Sequence, residues 1–325
     1  MSTRCLIVQP IHADGIAVLR AAGVEPVAAS ASAMAVVARE IADADAVITR
    51  NAGLDRAAID AAPRLRVIGN HGVGLDPVDV AHASAQGIAV VFTPAANAVA
   101  VAEHAVALVL AVAKQVLEAD RATRAGDFGF KYRSRILELR GKTLGVIGFG
   151  RIGRLTAESL VRGFGMRLLV HAPSAPDAAI EALGGERAAS LDALLHASDV
   201  LSLHVPLRAG TRGLIGAREL ALCKPDAILV NTARGAVVDE DALVAALRDG
   251  RIAGAGLDVY ASESMPPDHP LLALPSAVLT PHVGGSALEA GRRTAVQVAE
   301  QVVDVLRGRR PEHLVDPDVW PRRRA

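Results

Sequence analysis

The chain has few aromatic residues and no excess of either charge. Aromatic side chains make up 2% of its 325 residues, so few are available to stack on nucleic-acid bases. Lys and Arg together number 35, as do Asp and Glu, so no net charge attracts nucleic acid or an acidic membrane surface. We therefore expect neither nucleic acid nor a membrane among the partners of this protein.

Cysteines and long apolar runs are also scarce. Two cysteines, Cys5 and Cys223, lie far apart, so we expect neither a disulfide framework nor a metal site. The apolar part of the N-terminal segment is too short for a signal peptide. The most membrane-like run, 98–113, is interrupted by Glu103 and His104 and predicts a helix buried between packed bodies. These features predict a cytoplasmic protein.

The composition and length indicate a well-packed chain with room for two domains. Hydrophobic residues account for 51% of the chain and charged residues for 22%. Short apolar runs alternate with amphipathic segments, which predicts parallel sheets covered by helices on both faces. The predicted strands of the first series are 6–8, 46–48, 67–68 and 88–91. Those of the second series are 144–147, 168–171, 200–204, 228–231, 256–259 and 278–279.

Two long helices are predicted outside these series. One runs from about 99 to 120 and is followed by an irregular connector over 121–140, and the other covers about 287–307. The second helix has no sheet of its own, so we expect it to return to the first series. The resulting prediction is a discontinuous first domain, 1–98 with 290–325, and a second domain over 99–289.

The segment LGVIGFGRIG, residues 144–153, is the most informative stretch of the sequence. A buried strand is predicted to lead directly into Gly148, Gly150 and Gly153, and an apolar-periodic helix follows. In this context the glycines permit a tight turn, close approach of a pyrophosphate and close helix–strand packing. The alternative is an ordinary strand–helix turn in an alanine-rich and glycine-rich protein.

Polar residues follow several predicted strands. Gly72-Val73-Gly74 is a candidate anion cradle in the first series. In the second series, Arg234 follows one strand, Asp258 ends the next with Glu263 shortly after it, and His282 follows the third. Because strand ends converge in a doubly wound sheet, we expect these residues at one crevice.

These residue types suit the reduction of a 2-keto acid. An arginine binds a carboxylate bidentately, a histidine donates a proton near neutrality, and a nearby carboxylate favours the charged imidazole and orients it. Each residue alone has a simpler interpretation, since Arg234 could cap a turn and Glu263 could be merely exposed. We interpret the three together as a catalytic set.

The successive segments LGVIGFGRIG, VNTARGAVVDEDAL, LDVYASESMPPDHPLL and LTPHVGG resemble the signatures of the D-isomer-specific 2-hydroxyacid dehydrogenases. HGVGLDPVDV and VVFTPAANAVAVAEHAVAL resemble the substrate-domain turn and interdomain helix of that family. The resemblance implies a Rossmann-type dinucleotide-binding domain, a flavodoxin-like substrate domain and dimerisation through the dinucleotide-binding domains. The terminal segment HLVDPDVWPR resembles the short hydroxypyruvate and glyoxylate reductases, which makes these two keto acids the first substrates expected.

The resemblance also implies roles for individual residues. Arg234 would orient substrate, His282 would act as acid and base with Glu263 as its partner, and Asp258 would face the nicotinamide carboxamide. The substrate contacts would come from Val73, Gly74, Arg234 and His282. Apart from the resemblance, we expect the pocket to be lined by Arg50, Asn51, Leu54 and His71, and the alternative is that any of these four is plain surface. The predicted cofactor contacts are Gly148, Gly150, Arg151, Ile152, Gly153, Ala172, Ser174, Val205, Pro206, Thr211, Thr232, Ala233, Arg234, Asp258, His282 and Gly284.

Two positions depart from the family pattern. NAD-using members have a carboxylate after the second strand, where this chain has Ala172, and the nearest acid is Asp177. Arg151, His171 and Ser174 could instead accept a 2′-phosphate, so we expect NADP or NAD, with NADP favoured. Ser264 replaces the proline that many members have after the glutamate, which would loosen the loop that carries Glu263.

A second function, from another class, is a dinucleotide-sensing interaction protein, since some relatives of this fold are corepressors. Such a protein could keep all three catalytic residues. The neutral charge and the scarcity of aromatic residues favour the enzyme instead.

The missing acid at Ala172 leads to a kinetic prediction. With any 2-keto acid substrate, we expect kcat/KM with NADPH to equal or exceed kcat/KM with NADH, because no carboxylate repels the 2′-phosphate. Steady-state kinetics with both cofactors test this, and a strong preference for NADH would refute it.

Overall fold

The computed structural model describes residues 2–324, which form two compact units. Among the described residues, unit 1 comprises 2–97 and 285–324, and unit 2 comprises 98–284. The chain passes from one unit to the other twice, one and five residues earlier than the predicted domain boundaries. Each unit has its own parallel sheet and its own buried apolar core.

Unit 1 contains a sheet of five parallel strands in the order β2-β1-β3-β4-β5. This is the order of a flavodoxin-like doubly wound fold. The strands are β1 Thr3–Ile7, β2 Val24–Ala28, β3 Ala46–Thr49, β4 Val67–Asn70 and β5 Ala89–Val91. The helices between them are α1 Ala13–Ala21, α2 Met34–Glu40, α3 Arg56–Asp60 and α4 Val80–Ala85.

The strand β2 is absent from the sequence prediction. Its sequence, VEPVA, contains Pro26, which pairs in register with Cys5 of β1. Proline lacks an N–H donor and is tolerated at a sheet edge, and β2 is an edge strand. The proline therefore makes the strand hard to predict from the sequence, although it does not prevent the strand from forming.

The C-terminal helix α12, Leu288–Leu306, belongs to unit 1 and packs against α1 and β4. A Cβ atom on Gly15 of α1 would lie 2.6 Å from the carbonyl oxygen of Ala295. A Cβ on Gly69 of β4 would lie 2.8 Å from Val302. Glycine at these two positions lets α12 approach both elements closely. A 3-10 helix, Pro317–Arg322, follows in the same unit.

Unit 2 contains a sheet of seven parallel strands in the order β12-β11-β10-β9-β6-β7-β8. The chain order reverses between β6 and β9, which is where ligands bind in Rossmann-type sheets. The strands are β6 Thr143–Ile147, β7 Arg167–His171, β8 Glu186–Arg187, β9 Val200–Leu203, β10 Ile228–Asn231, β11 Gly254–Leu257 and β12 Ala277–Leu279. The two-residue edge strand β8 is too short to be predicted from an apolar pattern.

Two helices of unit 2 begin at residues whose side chains cap the helix N-terminus. Ser190 accepts a hydrogen bond from the Ala193 N–H, and Asp239 accepts one from the Ala242 N–H. The helices that cover the sheet are α7 Arg151–Phe164, α8 Asp177–Glu181, α9 Leu191–Ala197, α10 Ala217–Leu222 and α11 Glu240–Arg248. Single 3-10 turns lie at Phe128–Tyr132, Gly235–Val237 and Pro270–Ala273.

The predicted continuous helix over 99–120 is wrong. The structure has two helices, α5 Ala98–Ala113 and α6 Val116–Arg124, which bend by 56° at a break around Gln115. Gln115 has a φ of 48°, a left-handed conformation that ends α5 although neither glycine nor proline marks the position. No single helix in residues 2–324 meets the length and hydropathy required to cross a membrane, although α5 and α6 meet them as a bent pair.

Taken together, these observations confirm the predicted fold class. Both sheets are parallel, helices cover them, and the strand orders are those of a flavodoxin-like unit and a Rossmann-type unit.

The packing of α1 on α12 leads to a stability prediction. Gly15→Ala should lower the free energy of unfolding by about 1–3 kcal/mol, because the new methyl group meets the Ala295 backbone. The control is Gly291→Ala on α12, where a Cβ would meet nothing within 4 Å. That change should raise stability by about 0.5–1 kcal/mol, because alanine favours the helix. Urea denaturation measures both, and equal effects would contradict the close approach.

Candidate active site

The glycine turn of unit 2 links β6 to α7. Gly148 has a φ of 91°, and a Cβ there would lie 2.6 Å from the carbonyl oxygen of His204. A Cβ on Gly153 would lie 2.3 Å from the Gly148 carbonyl oxygen. A Cβ on Gly150 would meet nothing within 4 Å, so this glycine leaves open space at the start of α7. Packing therefore requires glycine at positions 148 and 153, and Gly150 keeps the turn accessible to a ligand.

The N-terminus of α7 is suited to an anion. Gly150 is its N-cap and contributes no side-chain hydrogen bond, so the first-turn N–H groups of Arg151, Ile152 and Gly153 are not capped by that residue. The helix is 14 residues long, and its dipole favours negative charge at this end. This turn fits the pyrophosphate of a dinucleotide.

The loop after β7 has no acid at the expected position. Ala172 is buried, and Ser174 is exposed. Burial, and then the charge of Arg187, lower the pKa of His171, which disfavours its charged form. The suggestion that His171 binds a 2′-phosphate stays a prediction.

Arg187 of β8 is a cation that contacts this loop directly, and sequence reasoning missed it. Its guanidinium donates hydrogen bonds to the carbonyl oxygens of Ala172, at 2.7 Å, and Ala175. Its Nε also pairs with Asp177 at 2.6 Å. The sequence signal for these contacts is a basic residue on the edge strand β8, which was not predicted from the sequence.

The segment after β9 carries Val205, Pro206 and Thr211. The Thr211 hydroxyl donates to the Pro206 carbonyl oxygen at 2.7 Å and accepts from the Arg208 N–H at 2.8 Å. Thr211 therefore stabilises the loop itself. His204 is hydrogen bonded to Ser202 at 2.8 Å, and burial lowers its pKa to about 4, so it is a neutral structural residue beside the glycine turn.

The turn after β10 is fixed by Asn231. Its side chain donates to the Arg234 carbonyl oxygen at 2.9 Å and accepts from the Ala233 N–H at 3.0 Å. The Arg234 guanidinium donates to the Ala233 carbonyl oxygen at 2.7 Å. Within residues 2–324, the Thr232 hydroxyl is buried without a hydrogen-bond partner, which makes it a fitting contact for a bound dinucleotide.

His282 and Glu263 form a pair, as the sequence predicts. Nδ1 of His282 lies 2.9 Å from Oε1 of Glu263, and the His282 side chain is about one-third exposed. His282 has a φ of 54°, one of two positive values among the non-glycine residues in 2–324. Such a conformation is strained and persists only where neighbouring contacts hold it.

Asp258 supplies contacts that hold this turn. Its carboxylate accepts hydrogen bonds from the Val283 N–H at 2.9 Å, the Gly284 N–H at 2.8 Å and the Thr280 hydroxyl at 2.6 Å. His104 Nε2 lies 3.3 Å from the same carboxylate. Burial opposes ionisation, but the contacts from His104, Thr280 and the two N–H groups outweigh it and hold the pKa of Asp258 below its usual value.

The structure therefore assigns Asp258 a positioning role that the resemblance did not imply. The residue lies immediately after β11, which ends at Leu257, and its side chain is 2% exposed. Gly284 is its hydrogen-bond partner, and a Cβ there would lie 2.9 Å from Oδ2 of Asp258. Both residues stabilise the His282 turn, and their predicted contacts with the cofactor stay predictions.

The loop that carries Glu263 is supported from α11. Glu240 accepts a hydrogen bond from the Ala261 N–H at 3.1 Å, and its other oxygen lies 3.1 Å from His269. A Cβ on Gly235 would lie 1.8 Å from the Tyr260 carbonyl oxygen, so the loop starts against the Arg234 turn. These contacts stabilise a loop in which Ser264 replaces the expected proline.

The turn 72–74, the predicted anion cradle, follows β4 in unit 1, and its anion-binding role stays a prediction. Asn70 donates to the carbonyl oxygens of Gly72 and Gly74, at 3.2 and 2.9 Å, which fixes the turn around Val73. Of the predicted pocket residues, Leu54 is fully buried in the core, so its assignment to a pocket wall is wrong.

The other three predicted wall residues also lie at strand ends of unit 1. Asn51 is exposed, and Arg50 donates to the Pro10 carbonyl oxygen at 2.9 Å. Burial and the nearby Arg50 charge lower the pKa of His71 to about 4. Within residues 2–324 no group of three His, Cys, Asp or Glu side chains could hold a metal ion.

Comparison with known proteins decides the family. Residues 106–284 match the sequence model of the D-isomer specific 2-hydroxyacid dehydrogenase, NAD binding domain. The chain belongs to the D-isomer-specific 2-hydroxyacid dehydrogenases. Unit 2 is accordingly the NAD(P)-binding unit, and hydride transfer between NAD(P)H and a 2-keto acid is the reaction of this dehydrogenase.

Individual relatives support the family assignment. The chain is 45% identical over 267 residues to a glyoxylate reductase of Aeropyrum pernix, which covers 79% of this chain and 78% of that protein. It is 40% identical over 314 residues to a D-3-phosphoglycerate dehydrogenase of Methanocaldococcus jannaschii. That match covers 96% of this chain but 59% of the longer relative.

Solved structures of similar proteins share the fold. A protein from Thermus thermophilus is 38% identical with a TM-score of 0.88, over 97% of this chain and 100% of that one. An NADPH-dependent glyoxylate/hydroxypyruvate reductase of Sinorhizobium meliloti, in complex with NADP and malonate, is 31% identical with a TM-score of 0.87. The second match covers 100% of this chain and 99% of that one.

The contacts of Asp258 lead to a prediction about pH. Asp258→Asn should lower the free energy of unfolding at pH 7 by about 1.5–3 kcal/mol, because the amide cannot replace an ionised acceptor. The stabilisation by the native carboxylate is present above the ordinary aspartate pKa of about 4 and is lost as the pH falls through the lower folded value. The difference between the two proteins should therefore shrink below about pH 4.

Denaturation at a series of pH values measures this difference. The control is Asp241→Asn on the exposed surface of α11, which should change stability little across the same range. A difference between native protein and Asp258→Asn that stays constant down to acid pH would contradict the proposed charge dependence.

Proposed function

We propose that this dehydrogenase reduces a small 2-keto acid to a D-2-hydroxy acid, with hydroxypyruvate and glyoxylate as the first candidates. The observation that carries the proposal is the 2.9 Å His282–Glu263 pair held on a strained turn in an NAD(P)-binding unit. Relatives named as glyoxylate reductases, and the reductase from Sinorhizobium meliloti, favour these keto acids.

In the proposed mechanism, His282 donates a proton during reduction and accepts it in the reverse reaction. Nδ1 interacts with Glu263, so Nε2 on the opposite side of the ring delivers a proton to the keto oxygen during reduction. The carboxylate fixes the ring orientation and stabilises the charged imidazole. In the reverse reaction the neutral ring removes the proton from the substrate hydroxyl.

Arg234 is proposed to bind and orient the substrate. A guanidinium forms two parallel hydrogen bonds with a carboxylate, and it also polarises a neighbouring carbonyl group. The Asn231 contacts hold the Arg234 backbone in place. The resemblance also implies that the backbone of Val73 and Gly74 binds a substrate carboxylate, and this role stays a prediction.

The bound nicotinamide supplies or accepts the hydride. We infer that Gly150, Arg151 and Ile152 at the start of α7 bind its pyrophosphate, and that Thr232 contributes its buried hydroxyl. Because the loop after β7 has no acid at Ala172, NADP is favoured over NAD.

We further propose that two copies pair through their dinucleotide-binding units. Several apolar side chains on α5, α6 and the following segment are exposed: Val99, Val116, Leu117, Phe128 and Ile136. Exposed apolar side chains in one region are typical of association surfaces. We place the enzyme in the cytoplasm, where buried thiols such as Cys5 and Cys223 remain reduced.

The alternative, a dinucleotide-sensing interaction protein, is not favoured, because named relatives are reductases and dehydrogenases. Turnover separates the two functions, since an interaction protein would bind the dinucleotide without consuming it.

A panel of 2-keto acids with NADH and NADPH tests the proposed reaction. We expect turnover of hydroxypyruvate or glyoxylate, and His282→Ala should lower kcat by about 10²–10⁴-fold, because the proton donor is lost. The control is His196→Ala in the last turn of α9, which should leave kcat unchanged. Equal activity of His282→Ala and the native enzyme, or no turnover of any keto acid, would contradict the proposal.

A further inference from the structure

Arg187 and the loop after β7 form a connected group outside the proposed catalytic residues. The guanidinium donates to the carbonyl oxygens of Ala172 and Ala175 and pairs with Asp177. Because β8 is paired with β7, with Arg187 opposite Val170, the arginine lies alongside the strand that leads into this loop. A positive charge therefore lies within hydrogen-bond distance of Ala172, where NAD-using relatives are expected to have a carboxylate.

Arg187 is a cation that directly contacts this loop. Burial and Arg187 lower the pKa of His171, which disfavours its charged form, and Ser174 carries no charge. The Asp177 side chain, which pairs with Arg187, is 68% exposed, whereas that of Arg187 is 33% exposed. An exposed carboxylate is a weakly held partner that a more highly charged anion can displace.

The place of this group in the sheet identifies the anion. In Rossmann-type sheets the residues after the second strand contact the ribose, through an acid for NAD or through a nearby arginine for NADP. β7 is the second strand of unit 2, and its loop carries no acid at the contact position. We propose that Arg187 selects NADPH by binding its 2′-phosphate in exchange for Asp177. This inference rests on the proposed function, because it assumes that the dinucleotide binds at the glycine turn.

The exchange is an ionic substitution in which no covalent bond forms or breaks. The two loop carbonyls keep the guanidinium in position, so it is preorganised when the Asp177 carboxylate leaves. If Arg187 only held the loop after β7 in place, it would support the binding of every adenine nucleotide equally. Two fragments of the cofactor can therefore distinguish the two roles: 2′,5′-ADP, which has the 2′-phosphate, and 5′-AMP, which lacks it.

Isothermal titration of the full-length protein with both nucleotides tests the inference. Arg187→Gln should weaken the binding of 2′,5′-ADP about tenfold and change that of 5′-AMP less than twofold, because one charge-assisted contact is lost. Arg187→Lys keeps the charge and should retain part of the difference. Asp177→Asn removes the competing carboxylate and should strengthen 2′,5′-ADP binding.

The control is Arg162→Gln, which removes a similar ion pair with Glu158 in the last turn of α7. It should leave both nucleotides unaffected. Equal weakening of both by Arg187→Gln, with Arg187→Lys behaving in the same way, would show that Arg187 only holds the loop in place and overturn the inference. Unchanged 2′,5′-ADP binding in Arg187→Gln would overturn it too.

The failure of the proposed function would look different. If neither NADH nor NADPH bound to the native protein, the dinucleotide site itself would be wrong. If NADH bound and NADPH and 2′,5′-ADP did not, the site would stand and the role of Arg187 would be wrong. Tight binding of NADPH with the Arg187 dependence described above would support both.

Discussion

The buried carboxylate of Asp258 is the interaction on which the proposed catalytic end of unit 2 depends. It accepts hydrogen bonds from the backbone of Val283 and Gly284, directly after the left-handed His282, and it also contacts Thr280 and His104. These contacts stabilise a backbone conformation that would otherwise be unfavourable. They also connect three elements, since Asp258 follows one strand, Thr280 the next, and His104 belongs to a helix. The orientation of the proposed proton donor is therefore determined by a residue that is itself almost inaccessible to solvent.

The fold could be predicted from the sequence wherever a local pattern determines local structure. Buried parallel strands appear as short apolar runs, and capping residues such as Ser190 and Asp239 mark where helices begin. The prediction failed where pairing or packing overrides the local pattern. Pro26 disfavours a strand, yet β2 forms because an edge strand can do without one N–H donor. The break at Gln115 has no glycine or proline to announce it, so one long helix was predicted in place of two.

The site residues were likewise predicted where local pattern decides their position and missed where packing decides it. The His282–Glu263 pair is correctly predicted, because residues after adjacent parallel strands converge at one edge of the sheet. Partners that depend on side-chain direction could not be predicted. Arg187 reaches across to the loop after β7, and no spacing in the sequence indicates that its donors face those carbonyls. Leu54 was assigned to a pocket wall, but the structure buries it completely. The roles of the individual cofactor and substrate residues stay predictions.

The discontinuity of unit 1 has a consequence for the order of folding on the ribosome. Residues 98–284 are synthesised as one continuous unit with its own sheet. In unit 1, by contrast, α1 packs against α12, which is synthesised more than 260 residues later. Until then Gly15 and the α12-facing side of β4 at Gly69 lack their partner helix, and apolar surface remains exposed. Contacts so distant in sequence are slow to form and leave a nascent chain vulnerable to aggregation. Unit 1 is therefore the part of this enzyme that completes its packing last during synthesis.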